Sequence, residues 1–154
     1  TIVGLRFFNV YGPKEYLKET TASMVIQLGI QLLSGKSPRL FENSEQIFRD
    51  FIHIDDVVKA NIMACNSEKN GVFNIGLGKS RSFKDISDIL QHGLGTNLEV
   101  DYFPNPYKSY QMNTMADLTL SKESLGFDPK ISLEKGIKSY VPEIKRIYNL
   151  IKDD

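Results

Sequence analysis

The sequence predicts an α/β domain, and three observations carry that expectation. Runs rich in β-branched and aromatic residues, "TIVGLRFFNV" at 1–10, "FRDFIHI" at 48–54 and "GVFNIG" at 71–76, alternate with segments whose apolar residues recur at helical spacing. Gly and Pro mark the turns between them, as at Gly12-Pro13, Gly35 and Gly76 to Gly78. No repeat, low-complexity tract or flexible linker interrupts the 154 residues, so one compact domain with its own core is expected.

The first run is nearly continuous in apolar character, as a strand buried on both faces is, and Gly12-Pro13 stops it. Met24, Val25, Leu28 and Leu32 then mark an amphipathic helix, with Thr20 or Thr21 as its cap and Gly35 at its far end. "SPRLFENSEQ" at 37–46 reads as a short strand and turn, and "FRDFIHI" as a strand of alternating character. Asp55 and Asp56 stand where a cap and first turn belong, ahead of a helix whose apolar stripe is Val58, Ile62 and Cys65. "GVFNIG" is a short buried strand. Ser82-Phe83-Lys84-Asp85 then has the form of a capping box for a helix holding Ile86, Ile89 and Leu90. "LEVDYF" at 98–103 is a strand, and the two prolines of "PNPYKSYQ" at 104–111 make it a loop. A last helix begins near Leu133, with the stripe Ile137, Tyr140, Val141, Ile144, Ile147 and Ile151 and with Pro142 placed to kink it.

Nineteen basic and nineteen acidic residues cancel, so no net field recruits nucleic acid or an anionic membrane, and an anionic ligand must be held by local groups. The single Cys65 forms no internal disulfide, and its place on the helix stripe points to packing. No apolar run approaches a membrane span and no leader precedes one, so a cytoplasmic protein is expected.

Three motif matches are set aside. "GLGKSR" resembles the opening of a dinucleotide fingerprint, but its third small position is Arg81 and no acidic ribose reader follows. Tyr148 and Lys152 have Tyr-x-x-x-Lys spacing but fall near the end of the last helix, where frayed ends are common. His53, Asp55 and Asp56 could form a metal site, yet the two acids already serve as helix-start residues, so no metal is expected. What remains is polar groups at strand ends. Asn9, Val10, Lys14 and Lys18 follow the first strand, where open α/β sheets bind ligands. Arg49 could grip a phosphate with both guanidinium arms or pair with a neighbouring acid, and the sequence leaves both open.

Taken in order, "LRFFNVYGP", "RDFIHIDDV" and "FNIGLGKS" resemble the second half of the extended short-chain dehydrogenase/reductase family, the epimerases and dehydratases of nucleotide sugars. More narrowly, "GLRFFNVYGPKE", "QLLSGKSPRLFENSEQIFRDF" and "YQMNTMADLT" resemble its ADP-heptose group, which makes a sugar donor for lipopolysaccharide cores. The resemblance implies the last strands of a Rossmann-like sheet together with a small α/β substrate-binding domain over 1–154. It places the NADP-binding Rossmann region, with its Gly-rich loop and catalytic Tyr, outside this chain.

The resemblance further implies an isomerase that holds NADP, oxidises the side-chain alcohol of an ADP-sugar to a ketone and returns hydride to the other face. Two proton-transfer groups serve opposite faces, and one of them, a loop lysine, corresponds to Lys18. Asn9 and Thr20 match substrate-contacting positions, and Val10 and Lys18 cofactor-contacting ones. Gln27 stands where relatives often have His. Phe41, Glu42, Asn43 and Ser44 match a segment lining the nucleotide-sugar pocket, with Asn43 in place of a usual Gly. Arg49 matches a diphosphate-binding arginine and Tyr110 a substrate-contacting tyrosine. The resemblance also implies a homo-oligomeric parent enzyme, with this half inactive alone. Two other readings stay open: a different nucleotide-sugar epimerase or dehydratase, and a non-catalytic sugar-nucleotide-binding or assembly module.

Overall fold

The structure, a computed structural model, describes residues 1–153, without the side chains of Tyr16, Glu19, Thr20 and Asp153. The first apolar run is not one strand but two. β1 (Val3–Phe7) runs parallel to β5 (Gly71–Ile75), with Leu5 opposite Phe73. After a break at Phe8, β2 (Asn9–Tyr11) joins a second sheet in the order β2-β4-β6, parallel to β4 (Phe48–His53), which is antiparallel to β6 (Ser80–Ser82). β3 (Arg39–Phe41) and β7 (Asp101–Phe103) form a third, parallel pair. The chain thus changes sheets at Phe8, whose N–H still donates to the Ile75 carbonyl at 3.0 Å. The expectation that this run is buried on both faces fails for β1: Arg6 and Phe7 are exposed, and β1 pairs with β5 alone among the described residues. The expected alternation of β4 also fails. All its residues after Phe48 are buried, because the strand is central in its sheet.

Three helices form the larger core. α1 (Met24–Leu33), α3 (Phe83–Leu94) and α5 (Leu133–Asp153) pack together, burying Val25, Leu28, Leu32, Ile86, Leu90, Ile137, Tyr140 and Ile144 with Phe51 of β4. α1 and α5 approach so closely that a Cβ on Gly29 would lie 2.9 Å from Ile144 Cγ2. Ile151, counted in the stripe of α5, is exposed in its last turns, while Pro142 lies inside the helix as expected. The capping box of α3 forms as read, Ser82 Oγ accepting from Asp85 N–H and the Asp85 carboxylate from Ser82 N–H. α1 is capped instead by Ser23, whose hydroxyl is engaged elsewhere.

α2 (Ile54–Cys65) corrects two expectations. Its cap is His53, whose Nδ1 accepts from Asp55 N–H at 3.2 Å, so the aspartates lie inside the first turn. Asp56 is buried and accepts from the Lys130 and Ile131 N–H groups, both at 2.9 Å. The buried face of α2 is Asp56, Val57 and Ala60. The stripe Val58, Ile62 and Cys65 faces outward, with Val58 at 49% and Ile62 at 57% exposure. Phe7 is also exposed, and Cys65 lines a groove with Val3, Leu5 and Phe7 on β1. A short helix absent from the sequence reading, α4 (Thr119–Leu125), backs β5, and a second core of Ile52, Val57, Ala60, Ile75 and Phe127 lies between these elements. Among the described residues no helix is long and apolar enough to cross a membrane.

His53 is 3% exposed, and its Nε2 has no hydrogen-bond partner among the described residues. Burial lowers its pKa from 6.5, reinforced by Lys59 and opposed by Asp55 and Asp56. The neutral ring is therefore the folded form. Because the folded pKa lies below the unfolded one, the stabilisation is complete above about pH 6.5 and is lost as pH falls through the folded value. Urea midpoints measured between pH 7.5 and 5 are expected to fall with pH in the native protein, and His53→Asn to flatten that dependence. Identical slopes would remove His53 from the account.

Candidate functional site

Sequence order brings β3 and β7 together as a parallel pair, so their carboxyl ends present Phe41 and Phe103 side by side, ring centres 5.0 Å apart. The following loop folds Tyr107 and Tyr110 back over Phe41, at 6.2 and 5.6 Å, and the two tyrosine rings stack with an interplanar angle of 19°. α1 supplies the opposite wall through Met24, Gln27 and Gln31, with Arg39 and Phe83 at the margins. The result is a cleft of about 510 Å³ with aromatic faces on one side and amide groups on the other. Flat rings with a few amides suit a planar heteroaromatic ligand, which stacks on the faces and hydrogen-bonds at its edge.

Arg49 adjoins this cleft. It is 9% exposed, lies over the Tyr110 ring at 4.9 Å from its centre, and donates through Nη1 to its neighbour's carbonyl, Phe48 O, at 2.8 Å. Among the described residues it has no carboxylate partner. The adjacent Asp50 is turned away: its Oδ1 accepts from Leu77 N–H, and its Oδ2 from Gly78 and Ala116 N–H, at 2.7, 2.9 and 3.0 Å. The contrast with Arg81, opposite Arg49 in register on β6, is direct, because Arg81 pairs with both Asp85 and Glu134. A nearly buried cation without a counter-charge is costly unless an anion arrives. The sequence left Arg49 between a salt bridge and an anion contact, and among the described residues it forms no salt bridge.

The same Asp50 contacts explain "GLGKSR". The Leu77 and Gly78 amides that would cradle a phosphate are occupied by its carboxylate, and a Cβ on Gly76 would meet Ala116 Cβ at 2.6 Å. That turn is packed against β4 and has no room for a dinucleotide.

Other residues singled out in the sequence lie on β2 and on the 3-10 turn that follows it. Asn9 Nδ2 donates to Asp50 O at 3.0 Å, which sets it beside the strand position after Arg49. Val10 is half-buried in the second core. Lys18 is exposed on a turn of 3-10 helix (Tyr16–Thr21), its N–H bonded to Glu15 O at 2.9 Å and its own carbonyl accepting from Thr21 Oγ1 at 2.7 Å. The side chain of Thr20 lies outside the described residues. Beyond β3, Glu42 is exposed and its N–H donates to Phe103 O at 2.9 Å. Asn43 adopts φ 59°, a left-handed conformation that Asn tolerates better than most residues and Gly best. Ser44 is buried with its hydroxyl unpartnered.

Of the residues singled out in the sequence, Gln27, Phe41 and Tyr110 meet in the cleft with Arg49 beside them. Asn9 and Val10 lie on β2 and Lys18 on the 3-10 turn after it, outside that cleft. Sequence reasoning missed Arg39, Phe83, Phe103 and Tyr107. The aromatic clustering of "DYFPNPYKSY" was the available signal, but only the β3–β7 pairing shows that these rings meet Phe41. Two other tyrosines are poor proton donors: burial pushes Tyr11 and Tyr140 well above the usual phenol value, with Glu134 and Asp56 adding to the first and Glu15 to the second. Tyr148 sits half-buried in the last turns of α5, with Lys152 exposed one turn on.

Parallel strand pairs alternating with helices, in a chain that switches sheets before a polar loop, match the Rossmann-like fold of the extended short-chain dehydrogenase/reductase epimerases. The Epimerase model, of the NAD dependent epimerase/dehydratase family, matches residues 1–76. The chain is similar to the ADP-L-glycero-D-manno-heptose-6-epimerase of Helicobacter pylori at 43% identity and a TM-score of 0.85, over 93% of this chain and 44% of that one. It is similar to the UDP-glucose 4-epimerase of Thermotoga maritima at 34% identity and 0.84, over 94% and 46%. The UDP-glucuronic acid 4-epimerase of Bacillus cereus, solved with a UDP-sugar and NAD, matches at 29% and 0.84, over 96% and 46%. The chain therefore spans less than half the length of these structures.

Proposed function

We propose that the chain is the substrate-binding half of an NADP-dependent epimerase that converts ADP-D-glycero-D-manno-heptose to its L-glycero epimer, a step in lipopolysaccharide core synthesis. The observation that carries this reading is Arg49, a nearly buried guanidinium with no acid partner among the described residues, set against the Tyr110 ring at the border of the aromatic cleft. A nucleotide sugar matches that arrangement: its base stacks on an exposed aromatic face of the cleft lined by Phe41 and Tyr110, with its edge toward Gln27, and its diphosphate meets Arg49. The 43% identity to the heptose epimerase and the lysine at position 18 favour the heptose substrate.

When bound, the dinucleotide supplies a reversible hydride acceptor. Among the described residues of the chain only the end of β2 and the turn of Lys18 face that role, through Val10 and Lys18, since the Gly76–Gly78 turn is filled by Asp50. Lys18 exchanges a proton at its Nζ with the oxygen of the substrate's side-chain alcohol. Asn9, Thr20 and the segment Glu42, Asn43 and Ser44 hold the sugar. The phosphate-binding loop and the second proton-transfer group come from a complementary nucleotide-binding half, which covers the open edge of β1 and the outward stripe of α2. The chain alone is inactive. The assembled enzyme is a cytoplasmic homo-oligomer.

Calorimetry tests the binding reading. ADP-heptose is expected to bind through Arg49, with Arg49→Ala weakening it by about 10- to 100-fold, the worth of a charge-assisted contact. An unchanged affinity would remove the diphosphate from Arg49. A UDP-sugar epimerase is the second reading, favoured by the 34% identity to the Thermotoga enzyme. Tighter binding of UDP-glucose than of ADP-heptose would select it.

A further inference from the structure

The turn that carries Lys18 is closed at both ends by one buried side chain. Glu15 is 4% exposed, and its carboxylate lies between two segments that flank that turn. Oε1 accepts from Gly12 N–H at 3.0 Å and from Ser23 Oγ at 2.8 Å, while Oε2 accepts from Ser23 N–H at 2.7 Å. The main-chain carbonyl of the same residue accepts from Lys18 N–H at 2.9 Å. Gly12 follows β2, and Ser23 caps α1, so the carboxylate fixes the distance between the end of the strand and the start of the helix. Every residue of the intervening loop is then held by its ends. Lys14, the residue before it, has φ 74°, a conformation that a non-glycine residue keeps only where its surroundings enforce it.

An exposed carboxylate would do none of this, and a surface loop does not need one buried. Taking a charge out of water is unfavourable unless several donors compensate, and here three converge from two elements. The Ser23 hydroxyl, free to cap its own helix in the usual way, donates to Glu15 instead. The fourth neighbour is Tyr140 on α5, whose phenol is raised partly by the Glu15 charge, which extends the arrangement from the loop into the three-helix core.

We infer that Glu15 is a positioning residue for Lys18: it clamps residues 12–23 so that the lysine ammonium is presented at a fixed place beyond the end of β2. This rests on the reading of Lys18 as a proton-transfer group. A turn free to sample many poses would deliver that group to the substrate only part of the time, and a displacement of about 1 Å can cost about 100-fold in rate.

Two measurements separate the inference from its premise. In the chain itself, amide hydrogen exchange at Gly12, Lys18 and Ser23 is expected to quicken by on the order of tenfold in Glu15→Ala, with the α1, α3 and α5 amides unchanged. In the enzyme with both halves present, Glu15→Ala is expected to lower kcat by about 100-fold while KM for the nucleotide sugar stays within about twofold. Glu15→Gln, which keeps the size and one acceptor oxygen, falls between and serves if the alanine variant does not fold. A mere loss of folded enzyme would lower the active fraction without quickening exchange selectively at 12–23. Normal kcat in Glu15→Gln and Glu15→Ala, beside an inactive Lys18→Ala, overturns the clamp. Full activity in Lys18→Ala removes the premise, whatever the exchange data give.

Discussion

Lys18→Ala, in protein carrying both halves, is expected to lower epimerase kcat by about 10²- to 10⁴-fold, the range that general acid–base groups supply. The sugar should still bind, because its proposed base and diphosphate contacts lie in the cleft and at Arg49, away from the 3-10 turn. The loss therefore falls on kcat, with KM nearly unchanged. Lys18→Arg sharpens the test. It keeps the positive charge and much of the length but cannot release a proton near neutrality, so it should be as inactive as the alanine variant. Substantial turnover by Lys18→Arg would reduce the role of this residue to charge alone.

Asp50→Ala is expected to be the most damaging single change to stability. The carboxylate is fully buried and is the acceptor for three main-chain N–H groups from two segments, Leu77 and Gly78 in one and Ala116 in the other. Alanine leaves all three donors in a space too small for ready hydration. At about 1–3 kcal/mol for each of three unsatisfied buried groups, the cost is of the order of 3–9 kcal/mol, a large share of a typical domain's total. Asp50→Asn keeps one acceptor oxygen but points an NH₂ at an N–H, and should cost roughly half as much. Urea unfolding gives both values. A loss below about 1 kcal/mol for the alanine variant would mean that the 76–78 turn and Ala116 find other partners.

The β-rich runs, the helix spacing and the capping box of α3 were legible because each depends on neighbours a few residues away in the chain. The break at Phe8 was not, since nothing local to an apolar run says that its halves belong to different sheets. Helix α2 was misread for a related reason. Its stripe of Val58, Ile62 and Cys65 is a genuine helical periodicity, but the buried face is the one carrying Asp56, held inside by distant main-chain donors at Lys130 and Ile131. For the site, Arg49 was singled out by its guanidinium chemistry and Tyr110 by resemblance, and the contact between them is a product of tertiary folding. Phe103 and Tyr107 went unread because a rim formed by two strands about sixty residues apart in the chain leaves no periodic mark in either.

The open edge of β1 has a consequence for how this polypeptide behaves at concentration. Among the described residues its outer main-chain donors and acceptors pair with no strand, and beside the groove of Val3, Leu5, Phe7 and Cys65 they are a template on which another extended segment can add. Without a complementary half, that template is met by whatever strand is most abundant, which in a purified sample is a second molecule of the same kind. Colloidal stability, and with it the concentration at which ligand binding can be measured, is then set at this edge and not at the sugar cleft.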